Sequence, residues 1–415
     1  MRIAFVSYTF WPPDFGGELL VSMERFQSLA AHRYSTTVLT SGRPQFTSRE
    51  TSQGLQIRRS PVIHNSRAGR ALRRIVFWFW AALQLVLCKA DVVHFGSIPG
   101  LGFVTSDLVA FLLCGLAKCK GTRTVIVHSL AESDTEIYKS RGWSGFWQRL
   151  FYGSVGTIVA VSPALYRGLA PDFGSKVLLI PCGIRDDIFT RCSGPERKEL
   201  RSAHQTRSDD VVFAFLGSVG RRKGFDVLAN AFAELAPTHP NWRLWVIGPR
   251  NRGDSQNIDE REVAEVTSPL KELQNRVTFW GRLDDRHALS RILSCSDVFV
   301  FPSRREGMGI APLEGMAVGV PVVVSRIPGV TDLASVEGDT GLYVPPGDLP
   351  GLKAAMLRLG TDEKLRHGMG ARAAEVVRED FGWEQHVTKW MKLYQDGAAT
   401  ERTSPEPAGD LTPIS

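Results

Sequence analysis

The chain has 415 residues, more than one ordinary core accommodates, and its 43% hydrophobic and 22% charged content excludes collagen-like and disordered classes in favour of about two folded domains. A net charge of +7 and a pI near 9.2 arise from arginine clusters (Arg67 to Arg74, Arg221 to Lys223, Arg304-Arg305) suited to phosphates or anionic lipid heads. No RNA- or DNA-binding module accompanies the charge, so no nucleic-acid partner is expected.

The N-terminus, MRIAFVSYTFWPPDFGG, lacks the long apolar region and small-residue cleavage site of a secretory signal, and its apolar run reads as a first strand. In PPDFGGELL, Gly16 and Gly17 allow close backbone approach to a ligand, and the helix after them, Leu19 to His32, presents free N–H groups to an anion; a tight strand-to-helix turn explains the same residues equally well. The G-x-G-x-x-G spacing is missing and no acid ends the second strand, STTVLTS, at Thr40, which argues against a nicotinamide or flavin cofactor. Arg67, Arg70, Arg73 and Arg74 precede IVFWFWAALQLVLC, a run of about fourteen residues from Ile75 to Cys88, too short to span a bilayer and suited to a core or interfacial helix.

ADVVHFG, RTVIVHS, GTIVAVS and VLLIP continue the strands, with a helical stretch from Leu101 to Lys118 between them. Nearly continuous β-branched runs alternating with helices predict an α/β fold whose parallel sheets are covered on both faces. His94 and His128 each end a strand, and a lone histidine there serves packing as readily as chemistry. After the polar stretch Arg185 to Asp210 the alternation restarts with VVFAFLG, WRLWVIG, RVTFWGR, DVFVFPS, VPVVVS and GLYVPP. From Leu352 to Gln395 the chain reads helical, and Trp383, Val387, Trp390, Met391 and Tyr394 form an apolar stripe that needs a cover. The expected organisation is a first domain over 1–190, a second over 191–375, a helix over 376–395 and a disordered tail over 396–415. Six scattered cysteines show neither zinc nor disulfide spacing, which implies a reducing cytoplasm.

Two further loops carry candidate chemistry. In FLGSVGRRKGFDVL a glycine-rich basic loop leads into a helix, so Ser218, Arg221, Arg222 and Lys223 can clamp a diphosphate; a solvated basic turn is the competing explanation, and the order of Lys and Gly does not fit a Walker loop. In FPSRREGMGIAPLEGMAVGVPVVVS a strand ends before Glu306, and Glu314 opens the next helix. Ligands of open α/β sheets sit beyond the carboxyl ends of strands, so both carboxylates can reach one molecule and accept its vicinal hydroxyls. A first-turn carboxylate favouring the helix dipole is the structural alternative for Glu314. No D-x-D motif stands beside a strand, Asp284-Asp285 reads as a turn, and Ser162 lacks the G-x-S-x-G frame, so neither a metal nor serine-hydrolase chemistry is expected.

EGMGIAPLE, from Glu306 to Glu314, has the E-x7-E spacing of the retaining glycosyltransferases of family four, which the chain resembles. PPDFGG, ADVVH, VIVHS, AVSPAL, IPCGI, GSVGRRKGFDVL and IPGVTDL match in order over about residues 1 to 395. The resemblance implies the GT-B fold, two facing Rossmann-like domains with a cleft between them and a C-terminal helix crossing back to the first. It implies transfer of a sugar from a nucleoside-diphosphate sugar to a saccharide or lipid-linked acceptor without a cofactor or obligatory metal. Carried over by position, Glu314 binds the donor ribose, Glu306 the transferred sugar, and the backbone of Gly307, Met308, Gly309 and Ile310 lies near sugar and phosphates. Lys223 neutralises the leaving diphosphate, His128 stands beside the reacting centre, Gly16 and Gly17 lie near the phosphates and acceptor, and Arg282 and Leu283 belong to the region holding the base.

Three positions depart from the family pattern. Ser218 stands where an arginine is usual, with Arg221 or Arg222 as the expected substitute, and Cys182 and Arg185 replace the Asn and Asp of P-N-G-x-D. The basic-aromatic stretch over 67–88 suits a peripheral contact with the inner face of the cytoplasmic membrane, and cell-envelope or exopolysaccharide synthesis is the expected setting. A sugar-nucleotide epimerase of the same fold and a non-catalytic sugar-nucleotide-binding protein are the rivals.

Overall fold

In a computed structural model the described residues are 1–8, 10, 17–43, 46–62, 67–96, 104–128, 143–251, 255, 258–331 and 337–396. The chain divides into two units, Met1–Pro181 together with the chain from Val387 on, and Cys182–His386. The first boundary therefore falls ahead of the polar stretch in which the sequence pattern loosens. Cys182 to Asp186 belong with the second unit because Ile184 pairs with Gly382 as a β-bridge and Asp186 accepts from the Trp383 amide at 3.2 Å.

The first unit contains β1 (Arg2–Val6), α1 (Gly17–Ala31), β2 (Ser35–Thr40), β3 (Arg49–Ser52), β4 (Leu55–Arg59), α2 (Arg67–Leu87), β5 (Val92–Phe95), α3 (Val104–Cys119), β6 (Arg123–His128), α4 (Trp143–Ser154), β7 (Thr157–Ala160), α5 (Pro163–Phe173) and β8 (Val177–Leu179). Among the described residues its sheet runs β3-β4-β2-β1-β5-β6-β7-β8, parallel except for the β3–β4 pair. Every run read as a strand in the sequence is one. The short edge pair β3–β4 is not legible there, because RETS and LQIRR carry mostly polar side chains suited to a solvated edge.

The second unit contains α6 (Gly194–Ala203), β9 (Val211–Leu216), α7 (Phe225–Leu235), β10 (Trp242–Ile247), α8 (Glu260–Thr267), β11 (Val277–Gly281), α9 (Arg286–Ser294), β12 (Val298–Phe301), α10 (Ile310–Ala317), β13 (Val322–Ser325), β14 (Gly341–Val344), α11 (Leu349–Thr361), α12 (Glu363–Phe381) and the start of α13 (Trp383–Asp396). Its parallel sheet is ordered β11-β10-β9-β12-β13-β14. Helices cover the sheet, and Phe213, Phe215, Leu228, Phe232, Trp242 and Val300 are fully buried in one core. Each such side chain contributes about 1.5–3 kcal/mol relative to exposure.

The strand order reverses between β9 and β12, which are neighbours although β10 and β11 intervene in the chain. Loops leaving adjacent strands at such a reversal diverge and open a crevice beyond the strands' carboxyl ends. Both loops singled out in the sequence, the basic one after β9 and the Glu306 loop after β12, emerge there.

The cover for the C-terminal stripe is equally specific. Trp390 and Tyr394 of α13 are buried within the first unit; Tyr394 OH lies 2.7 Å from His94 Nδ1, the Trp390 ring stacks on that imidazole, and the Arg25 guanidinium lies 3.9 Å from the Trp390 centroid. The tail expected to be disordered, apart from Asp396, lies outside the described residues.

Candidate active site

Lys223 closes a short 3₁₀ turn, Arg221–Lys223, directly before α7. Its Nζ is 2.6 Å from Glu306 Oε1, and the Ser303 hydroxyl donates to the same oxygen at 2.6 Å. Burial pushes the Lys223 pKa down, and the Glu306 charge pulls part of that shift back. The loops approach this closely because Gly224 has no side chain: its φ is +70°, and a Cβ there would stand 1.8 Å from the Pro302 carbonyl oxygen. Gly329, with φ +76°, likewise lets the IPGV segment press on the Glu306–Gly307 backbone, where a Cβ would fall 2.5 Å from the Gly307 oxygen.

The two arginines offered as substitutes for a phosphate-loop arginine separate clearly. Arg221 turns to α8, its amide donating to Glu262 at 2.7 Å and its guanidinium to Glu265. Arg222 faces the crevice, with NH1 3.7 Å from Glu306 Oε1 and its side chain 59% exposed. Ser218 lies half-buried in the same loop.

Glu314 is the fifth residue of α10 and is buried. The first-turn alternative is therefore corrected: Glu314 sits past the first turn, inside the helix, and pairs instead with Arg286, the first residue of α9. Asp285 caps α9 by accepting from the amides of His287 and Ala288, so the expected turn at Asp284-Asp285 is a helix cap. Arg286 was not singled out in the sequence; its only signal there was its place one residue after a capping aspartate. Arg282 pairs with Asp284 at 2.8 Å, and Leu283 is half-buried beside it.

Before α10, Met308 is buried and its sulfur accepts from the Cys182 amide at 3.1 Å. The Gly309 amide donates to the Gly329 carbonyl at 2.9 Å and the Ile310 amide to the Met308 carbonyl at 3.1 Å. These bonds shape the loop and commit two of the four amides expected near a donor. Among the described residues no three His, Cys, Asp or Glu side chains are grouped as a metal site would need.

In the first unit Gly17 is exposed at the start of α1, whereas Gly16 lies outside the described residues. His128 ends β6, and its side chain also lies outside them. His94 is fully buried, and burial, followed by repulsion from Arg25, holds its pKa well below the usual histidine value. It is a packing histidine that joins β5 to α13.

The α2 helix begins at Arg67, so the arginine cluster and the aromatic run form one element. Phe77, Trp78, Ala81 and Leu85 face the core, while Leu72, Ile75, Phe79, Leu83 and Val86 are exposed, Phe79 by 69%. Spacings of three and four place the exposed set on one stripe. No helix among the described residues is long and apolar enough to cross a membrane.

The first unit matches the family model "Glycosyl transferase 4-like domain" over residues 20–183, and the second matches "Glycosyl transferases group 1" over residues 196–376. The chain is 31% identical over 254 residues to the lipopolysaccharide core biosynthesis glycosyltransferase LpsD of Rhizobium meliloti, spanning 60% of this chain and 66% of that relative's length. Sucrose-phosphate synthase from Thermosynechococcus elongatus superposes with a TM-score of 0.77 at 22% identity, over 95% of this chain and 98% of that one. Anabaena Alr3699/HepE, solved in complex with UDP-glucose, superposes with a TM-score of 0.72 at 16% identity, over 94% and 98%. Two Rossmann-like units of parallel sheet, this likeness to GT-B structures and the two matched models together show that the chain belongs to the glycosyltransferases of family four.

Proposed function

We propose that this chain is a retaining, metal-independent glycosyltransferase that moves a sugar from a nucleoside-diphosphate sugar to a saccharide or lipid-linked acceptor in cell-envelope polysaccharide synthesis. The observation that carries the reading is the Lys223–Glu306 pair held at the strand-order reversal. A cation and a carboxylate there match the two halves of one donor, a diphosphate and a polyhydroxyl ring. The UDP-glucose complex of the Anabaena neighbour supports the donor class.

In this reading Lys223 and Arg222 take the charge that grows on the diphosphate as the sugar C1–oxygen bond breaks, and the amides of Gly307 and Met308 add dipoles. Fixed donors of this kind are worth about 3–4 kcal/mol each in a water-poor site. Glu306 accepts from the sugar hydroxyls, and Glu314, oriented by Arg286, from the ribose; Arg282 and Leu283 border the base. His128, Gly16 and Gly17 keep the assignments their sequence positions imply. The acceptor oxygen bonds to C1 on the face the diphosphate leaves, its proton passes to the departing phosphate oxygen, and the anomeric configuration is retained. The arginine-led start and exposed stripe of α2 support peripheral contact with the cytoplasmic face of the membrane.

A panel of nucleoside-diphosphate sugars tests the proposal by thermal unfolding and by mass spectrometry of the products. The expected result is protection by at least one donor and its slow hydrolysis to the nucleoside diphosphate. Interconversion of donor sugars without release of the diphosphate would instead make the chain an epimerase.

A further inference from the structure

Cys192 and Cys295 are 103 residues apart in sequence, yet their sulfurs lie 3.5 Å apart within the second unit. Cys192 is half-buried, immediately before the capping box that starts α6 at Ser193; Cys295 is buried and caps the end of α9. The backbone holding them is fixed on both sides. Arg197 donates to the carbonyls of Ser294 at 2.9 Å and Ser296 at 3.1 Å, Arg201 donates to the Cys295 carbonyl at 3.0 Å, and both guanidiniums pair with Asp297.

We propose that Cys192 and Cys295 are a dithiol modification site at which a low-molecular-weight disulfide is reduced and an intramolecular Cys192–Cys295 disulfide is formed. The Cys192 thiolate attacks one sulfur of the reagent and expels the first small thiol. Cys295 then loses its proton and displaces the second, so two protein thiols are oxidised as one reagent disulfide becomes two thiols. Closing the bond requires the sulfurs to approach from 3.5 Å to about 2.05 Å.

The chemical asymmetry of the pair suits this order. The hydrogen bond from Cys295 pushes the Cys192 pKa down to about 6, with help from Ser294 and Arg197 against the opposing effect of burial. The Cys295 pKa moves up, because it is the donor and is buried. The partly accessible sulfur is thus the nucleophile and the buried one resolves. The bond would tie the end of α9 to the segment before α6. Arg286, which holds Glu314, begins the same α9.

The test uses the whole chain with oxidised glutathione as probe, followed by alkylation and peptide mass spectrometry. The proposal expects a Cys192–Cys295 cross-linked peptide that dithiothreitol reverses, formed at a rate that rises through about pH 6 rather than the pH 8–9 of an ordinary thiol. In Cys295→Ser the same reagent should leave Cys192 trapped as its mixed disulfide with glutathione. Failure to cross-link in the wild-type chain, under conditions in which the exposed Cys119 acquires glutathione, overturns the proposal whether or not the variant folds.

Discussion

Lys223 Nζ and Glu306 Oε1 meet at 2.6 Å across 83 residues of sequence. Two neighbouring parallel strands bring them together, and Gly224 removes the side chain that would hold their loops apart.

Gly224→Ala should therefore disturb both stability and site. A left-handed backbone at a non-glycine residue costs about 1–2 kcal/mol by itself, and the collision with the Pro302 carbonyl adds to it. Denaturant unfolding should show a loss of at least about that size, and nucleotide-sugar protection should vanish even where the variant remains folded.

In the Arg286–Glu314 pair the carboxylate is buried and the guanidinium is largely covered, with side chains 5% and 14% exposed. Removing Arg286 takes the cationic partner from the buried Glu314 carboxylate and should cost about 3–5 kcal/mol. Arg286→Met combined with Glu314→Leu should recover most of that loss in thermal unfolding without restoring donor binding, which separates the packing role of the pair from its proposed grip on the ribose.

His94 gives the first unit an acid-sensitive point. Its folded pKa lies well below 6.5, so below that pH the unfolded chain binds a proton that the folded chain does not. Stability is retained above about pH 6.5 and lost as pH falls, by up to about 1.4 kcal/mol per pH unit. Melting temperatures measured from pH 7.5 to pH 5 should fall more steeply for the wild type than for His94→Gln.

Much of this was legible in the sequence. Strands buried on both faces are nearly continuous apolar runs, so the two sheets and the alternation of helices could be read directly, and the E-x7-E segment marked its own loop. What required three dimensions was pairing between distant segments. Arg286 is one arginine among many until α9 sets it on Glu314. Cys192 and Cys295 look unrelated, and the choice between Arg221 and Arg222 depends on where Glu262 and Glu265 lie. His94 and His128 looked alike in sequence, and only the burial of His94 against Trp390 and Tyr394 assigned it to packing.

The α2 stripe makes the membrane reading testable. Flotation with vesicles containing phosphatidylserine should carry the wild-type chain upward. Phe79→Ser with Leu83→Ser should lower the bound fraction at least several-fold, as should reversal of Arg67, Arg70, Arg73 and Arg74 to Glu. Equal flotation by all three proteins would remove the α2 contact from the account.

The most direct measurement of the central claim is release of nucleoside diphosphate from the preferred donor by the wild type, Lys223→Ala and Glu306→Ala, with folding of each verified by circular dichroism. The account predicts that each variant loses about 100-fold or more in turnover under conditions in which it remains folded. Near-normal turnover in either folded variant would contradict it.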